Sequence, residues 1–146
     1  MNRVQAETVA IRFDYPGRLP AIIHVLPALD FLARLRGLIG RPLPVAHSGL
    51  WIEPCAGIHT FGMREPIDVV FVSRDLRVRR IDEGVPPGRL RSCRRSHAVV
   101  EMQAGQARQL GILLGSRVTR VDVSSYERLQ GSILGLSTTI GMEVQP

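Results

Sequence analysis

The chain has 146 residues, 45% hydrophobic and 22% charged, with a formal net charge of +6. That length fits one domain able to bury a core without disulfide or metal staples, and the composition excludes a disordered chain. No apolar run reaches the roughly 18–20 residues a transmembrane helix needs. Arg3, Glu7, Arg12 and Asp14 interrupt a would-be signal peptide, so a cytoplasmic location with no membrane partner is expected.

Ten prolines and fourteen glycines divide the chain into short pieces, which favours strands and turns over a helical bundle. In "TVAIRF" (8–13), Val9, Ile11 and Phe13 alternate on one face before the turn "YPGR", the pattern of a half-buried strand. A second strand follows in "PAIIHVLP" (20–27). The period then changes in "DFLARLRGLIGRP", where Leu29, Leu32 and Leu35 recur every third residue, Asp30 suits an N-cap and Gly37 a stop, predicting one short helix.

"SGLWIEP" (48–54) reads as a strand, and "PIDVVFVSRD" (66–75) as the strongest in the chain. Ile67, Val69 and Phe71 occupy one of its faces and Val70 and Val72 the other, so both faces should be covered. "LRVRRID" (76–82) is expected to pair with it as a hairpin, with Leu76 and Val78 inward and arginines outward. "EGVPPGRLRSCRRS" reads as a loop, and "HAVVEMQ" (97–103) as a strand with Val99 and Glu101 on one face and Val100 and Met102 on the other. A helical turn in "AGQARQLGI" and a strand in "SRVTRVDVS" (116–124) complete the pattern. The expected fold is a mostly β, single-domain β-sandwich or jelly-roll-like barrel with one or two short helices, spanning residues 1–123 and followed by a tail, 124–146.

Three blocks, "RLRGLIGR" (34–41), "GLWIEPCAGIHTFGMREPIDVVFV" (49–72) and "AVVEMQAGQARQLGILLGSRV" (98–118), together resemble the domain of unknown function 192 family (DUF192) over about residues 34–123. The matching positions are Arg34, Gly37, Leu38, Arg41, Met63, Ile67, Asp68, Phe71, Glu101 and Gly105. The resemblance implies a small β-sandwich or jelly-roll-like domain; it supplies no catalytic residues and no cofactor.

The densest chemistry lies in "CAGIHTFGMREPID" (55–68). Asp68 and Glu101 stand between apolar neighbours in predicted strands, and a buried carboxyl needs partners, so both should meet arginine or backbone N–H groups. With Asp68 and Glu101 behind it, the turn predicts a ligand-binding pocket whose candidate residues are His59, Thr60, Met63, Arg64, Asp68, Glu101 and Arg41. Its ligand would be an unknown small molecule. The competing reading is structural: the charges fix strand register, and Phe61 and Met63 pack the core.

The enzyme alternative is a metal- or thiol-dependent hydrolase. Cys55 and His59 are spaced as Cys-x-x-x-His, as are Cys93 and His97, which together offer zinc's preferred ligand types. Cys55 could instead act as a nucleophile with His59 as its base, or form a disulfide with Cys93. A non-catalytic module is favoured over these, because no nucleophile motif surrounds Cys55 and the spacing is looser than common zinc frameworks.

All 19 basic residues are arginine. Eight of them lie between Arg74 and Arg95 against Asp75, Asp82 and Glu83, an excess of five positive charges that suits an acidic protein surface. Nucleic acid is disfavoured as a partner. From Val72 to Ser125 there is no Phe, Trp or Tyr on which bases could stack, and no helix-turn-helix or zinc-finger pattern is present.

Overall fold

The computed structural model describes residues 7–28, 37–40 and 46–121. The helix expected from Asp30, Arg34, Arg41 and the tail at 124–146 lie outside the described residues, apart from Gly37 to Gly40, which form a turn. Nine strands are described: β1 (Val9–Asp14), β2 (Ala21–Pro27), β3 (Ser48–Ile52), β4 (Gly57–His59), β5 (Ile67–Ser73), β6 (Val78–Val85), β7 (Leu90–Ser92), β8 (Ser96–Gln103) and β9 (Arg117–Val121). The single described helix, α1 (Gln106–Gln109), occupies the predicted helical turn.

Seven strands form one sheet in the order β6-β5-β8-β3-β2-β1-β9. The β2 and β3 neighbours run parallel, and every other adjacent pair is antiparallel. The sheet curls until its two edges meet at one end. There Val118 N–H donates to Leu76 O (2.8 Å), Val78 N–H to Ser116 O (2.9 Å) and Gly115 N–H to Val78 O (2.8 Å). The result is a half-barrel, the mostly β single domain expected from the sequence.

Curling gives the sheet an inner and an outer face, and β5 serves both. Val70 and Val72 join Ile11, Ile23, Val25, Trp51, Val100, Met102 and Val118 in the inner cluster. Val69 and Phe71 join Leu50, Ile52, Ile58, Val85 and Val99 in the outer one. Every residue of β5 is buried, which is why its sequence is apolar without alternation. Each of its Ile, Val and Phe side chains stabilises the fold by about 1.5–3 kcal/mol. In β3, Gly49 permits close approach to β8, since a Cβ there would stand 2.7 Å from Glu101 O.

A two-stranded antiparallel ribbon of β4 and β7 lies over the outer cluster, burying Ile58 and resting Cys55, Met63 and Cys93 against it. The ribbon corrects the sequence reading, which placed β4 in a turn and β7 in a loop. Three-residue strands such as Gly57–His59 and Leu90–Ser92 are too short to show a period, and the pair forms only because two distant loops meet. β6 also runs beyond the expected Asp82 to Val85, because irregularities in register let Ile67 pair with Val85. Leu76, expected inward, is 42% exposed because it takes a turn conformation with φ of 57°.

Candidate functional site

The ribbon carries most of the predicted site, and Thr60 pins it. Thr60 is fully buried. Its Oγ1 donates to Pro86 O (2.7 Å) and accepts from Arg89 N–H (2.9 Å). Its backbone N–H donates to Arg89 O (2.8 Å), and its carbonyl accepts from Gly88 N–H and Met63 N–H. With these groups committed, Thr60 ties the end of β4 to the approach of β7 and leaves little for a ligand. His59 stacks on Phe61 with ring centroids 5.7 Å apart, and its Nδ1 is buried without a hydrogen-bond partner. Phe61 is 50% exposed and Leu90, opposite His59 in the ribbon, is 68% exposed. Met63 packs on the outer cluster, as the structural reading held, and Arg64 is exposed.

Asp68 and Glu101 are both buried. Asp68 meets backbone N–H groups: Oδ1 accepts from Gly84 N–H (2.8 Å) and Oδ2 from Ala107 N–H (2.9 Å), joining β6 to α1. Glu101 Oε2 accepts from Leu38 N–H (3.1 Å). The two do not share a pocket. Asp68 lies opposite Met102, on the inner face, whereas Glu101 lies opposite Val69, on the outer face. Of the predicted set, His59, Thr60, Met63 and Arg64 thus lie along one segment, Glu101 lies on the sheet face that the ribbon covers, and Asp68 lies behind the sheet. Arg41 falls outside the described residues.

The contacts of the cysteines and histidines lend the hydrolase alternative no support. Cys55 Sγ donates to Gly57 O (3.1 Å), and His97 Nε2 approaches Glu53 Oε1 (3.3 Å), while His59 stacks on Phe61. Among the described residues, no three His, Cys, Asp or Glu side chains gather as a metal-ligand set. Glu53 also accepts from Trp51 Nε1 (2.9 Å) and Arg120 (3.4 Å), so the His97 imidazole faces a shared carboxylate, while the Cys55 backbone N–H donates to His97 O (2.8 Å).

The arginine stretch divides in two. Arg80 hydrogen-bonds Asp82 (2.6 Å) and donates to Ser92 O (3.2 Å), while Arg91 Nε stands 3.4 Å from Asp82 Oδ2. The Asp82 hydrogen bond, followed by its charge, raises the Arg80 pKa above its ordinary value. That Oδ2 is buried without a hydrogen bond, so the Arg91 contact is an ion pair without hydrogen-bond geometry. These side chains join β6 to β7 and line an open groove of about 550 Å³ between them. Arg77 donates to Gly115 O (3.2 Å) where the sheet edges meet. Glu83 pairs with Arg108 (2.6 Å), and Asp75 feels Arg79 and Arg77.

Arg74, Arg89, Arg94 and Arg95 are left exposed, with no side-chain partner among the described residues. Three of them converge. Ser73 pairs with Ser96 across β5 and β8, so Arg74, just after Ser73, and Arg94 and Arg95, just before Ser96, share one corner of the sheet. Leu76 lies on the same turn as Arg74. The sequence showed the charge excess; only the register showed which arginines remain uncommitted.

A curled β-sheet closed at one end and covered by a short ribbon defines a small, single-domain β protein. The chain belongs to the DUF192 family, described as an uncharacterized ACR, whose pattern matches residues 17–120. Its fold is that of a Sinorhizobium meliloti protein described only provisionally as a transcription regulator. The TM-score is 0.73 at 21% identity, over 82% of this chain and 98% of that one. It is also that of a Novosphingobium aromaticivorans protein of unknown function, with a TM-score of 0.69 at 23% identity over 77% of this chain and 84% of that one. No curated protein matches the chain.

Proposed function

We propose that the protein is a non-catalytic binding or accessory module that docks an acidic protein surface at the corner formed by Arg74, Arg94 and Arg95. The observation that carries this reading is the division of the arginine stretch: each acid within it is engaged, while three exposed arginines lie at one corner of the sheet. Such a cluster attracts anions and speeds their encounter, with a strength that falls as salt rises. Leu76, 42% exposed on the same turn, favours a protein partner over a phosphate backbone by adding an apolar contact. The ribbon's Phe61 and Leu90, beside His59, are a second exposed contact surface. The candidate ligand contacts at His59, Arg64 and Met63 belong to that surface rather than to an enclosed pocket.

The test compares wild-type protein with a variant carrying Arg74→Ala, Arg94→Ala and Arg95→Ala on a polyglutamate matrix, with Arg108→Ala as a charge control. Wild type and the control should be retained and elute with rising salt, and the triple variant should elute much earlier. Equal retention of all three overturns the proposal. Loss of binding to DNA in place of polyglutamate would instead assign the corner to nucleic acid and also overturn it.

A further inference from the structure

We infer that Cys55 and Cys93 form a thiol pair that a hydroperoxide converts into a reversible intramolecular disulfide. The inference is independent of the docking corner and rests on how one serine holds both cysteines. Ser96 N–H donates to Cys93 O (2.9 Å), and Ser96 Oγ donates to Cys55 O (3.2 Å). Cys93 N–H donates to Ala56 O (2.9 Å), which sets Cys93 beside the residue that follows Cys55. Both side chains rest against the same outer cluster, both are half-buried, and neither is in a disulfide.

An opposite residue in an antiparallel ladder lies about 5.5 Å away, and one step along the chain adds about 3.4 Å. By that spacing the two Cα atoms would stand near the outer part of the roughly 4.4–6.8 Å range that a disulfide spans, and since Cys55 lies outside β4, it is the shared outer cluster rather than the ladder that brings both side chains to one side. Cys93 also has a cationic neighbour. Arg80 donates to the carbonyl of Ser92, the preceding residue, and the charge of Cys93 contributes to holding the Arg80 guanidinium protonated, after the larger effects of Asp82. Arg80 thus stands near Cys93, whereas the Cys55 thiol donates to Gly57 O (3.1 Å).

The chemistry balances with hydrogen peroxide, the simplest hydroperoxide, as oxidant. The Cys93 thiolate attacks one peroxide oxygen, the O–O bond breaks, and the leaving hydroxide takes up a proton as water. Cys93 is then a sulfenic acid. The Cys55 sulfur attacks Cys93 Sγ, the S–O bond breaks, an S–S bond forms, and a second water leaves carrying the Cys55 proton. Two thiols are oxidised and one peroxide is reduced. A small dithiol reverses the step by exchange.

The experiment treats the full chain with hydrogen peroxide, alkylates the remaining thiols and maps peptides without reduction. The expected result is a monomer lighter by two hydrogens, a Cys55-to-Cys93 linked peptide, and recovery of both alkylatable thiols with dithiothreitol. In Cys55→Ser the sulfenic acid should persist at Cys93 and be trapped by dimedone, whereas Cys93→Ser should give no such adduct at Cys55. The inference is overturned if both wild-type cysteines remain alkylatable after peroxide, or if the only cross-link joins two chains. The wild-type readout decides the matter even if a serine variant fails to fold.

Discussion

On the inner face of β5, Val70 and Val72 sit in a cluster that the sheet encloses by its own curl. On the outer face, Val69 and Phe71 lie beneath a ribbon drawn from two loops distant in sequence. The inner closure is fastened by Asp68, which bridges β6 and α1 through two backbone N–H groups. The outer closure is fastened by Thr60, which bridges the two sides of the ribbon. A fully buried polar residue secures each layer, but one fastens the sheet itself and the other an added cover. Damage to the first should therefore be global, and damage to the second local.

The largest expected effect is that of Asp68→Asn. An amide has one acceptor oxygen where the carboxyl has two, so either Gly84 or Ala107 N–H would face an NH₂ donor. The expected loss is about 3 kcal/mol, the upper part of the cost of leaving a buried donor without its acceptor. Denaturant unfolding should show the loss, and amide exchange should accelerate across β5 and β8 together. Exchange confined to α1 would break the comparison.

Thr60→Val keeps the shape but removes the hydroxyl, and should cost about 1 kcal/mol. Here the Gly88 and Arg89 amides should exchange faster while those of Val70 and Val100 keep their protection. If the β5 core loosens equally, the ribbon is part of the same cooperative unit and the contrast fails.

Ser73→Ala should have the smallest effect on the two layers, since its hydroxyl acts within the β5–β6 turn, where it also donates to Arg77 O (3.0 Å) and accepts from Arg77 N–H (3.2 Å). Asp75 lies on an exposed turn outside both layers, and its carboxyl is held below its ordinary value of 3.8, first by the Ser73 hydroxyl, then by its own backbone N–H and the charges of Arg79 and Arg77. A depressed folded-state pKa adds stability above the unfolded value, and that contribution disappears as pH falls through the folded value. Removing the hydroxyl should move the Asp75 titration upward toward 3.8, as followed by carboxyl NMR shifts, and make the remaining acid dependence slightly weaker. An unmoved titration would show that the arginines alone set it.

The strands that form the two clusters were legible because their side chains repeat. The split of β5 into Val70 and Val72 against Val69 and Phe71 follows from period two, as does that of β8 into Val100 and Met102 against Val99. The need of Asp68 for backbone donors was legible too, since an unpaired buried carboxyl is costly. Register was not. Neither strand alone says that Val70 pairs with Val100, and that pairing is what puts Asp68 and Glu101 on opposite faces. The ribbon was hidden for a related reason: "GIH" and "LRS" acquire strand geometry only by meeting each other.

The meeting of the sheet's edges near Arg77 and Arg117 has a consequence for self-association. A sheet that ends in open strands offers bare N–H and C=O groups on which another chain can template itself, the first step toward fibrils. Here the beginnings of β6 and β9 occupy each other's bonding positions, and the rest of β6 carries Arg79, Arg80, Asp82 and Glu83, a charged fringe hostile to stacking. The half-barrel thereby guards its own margins against runaway polymerisation.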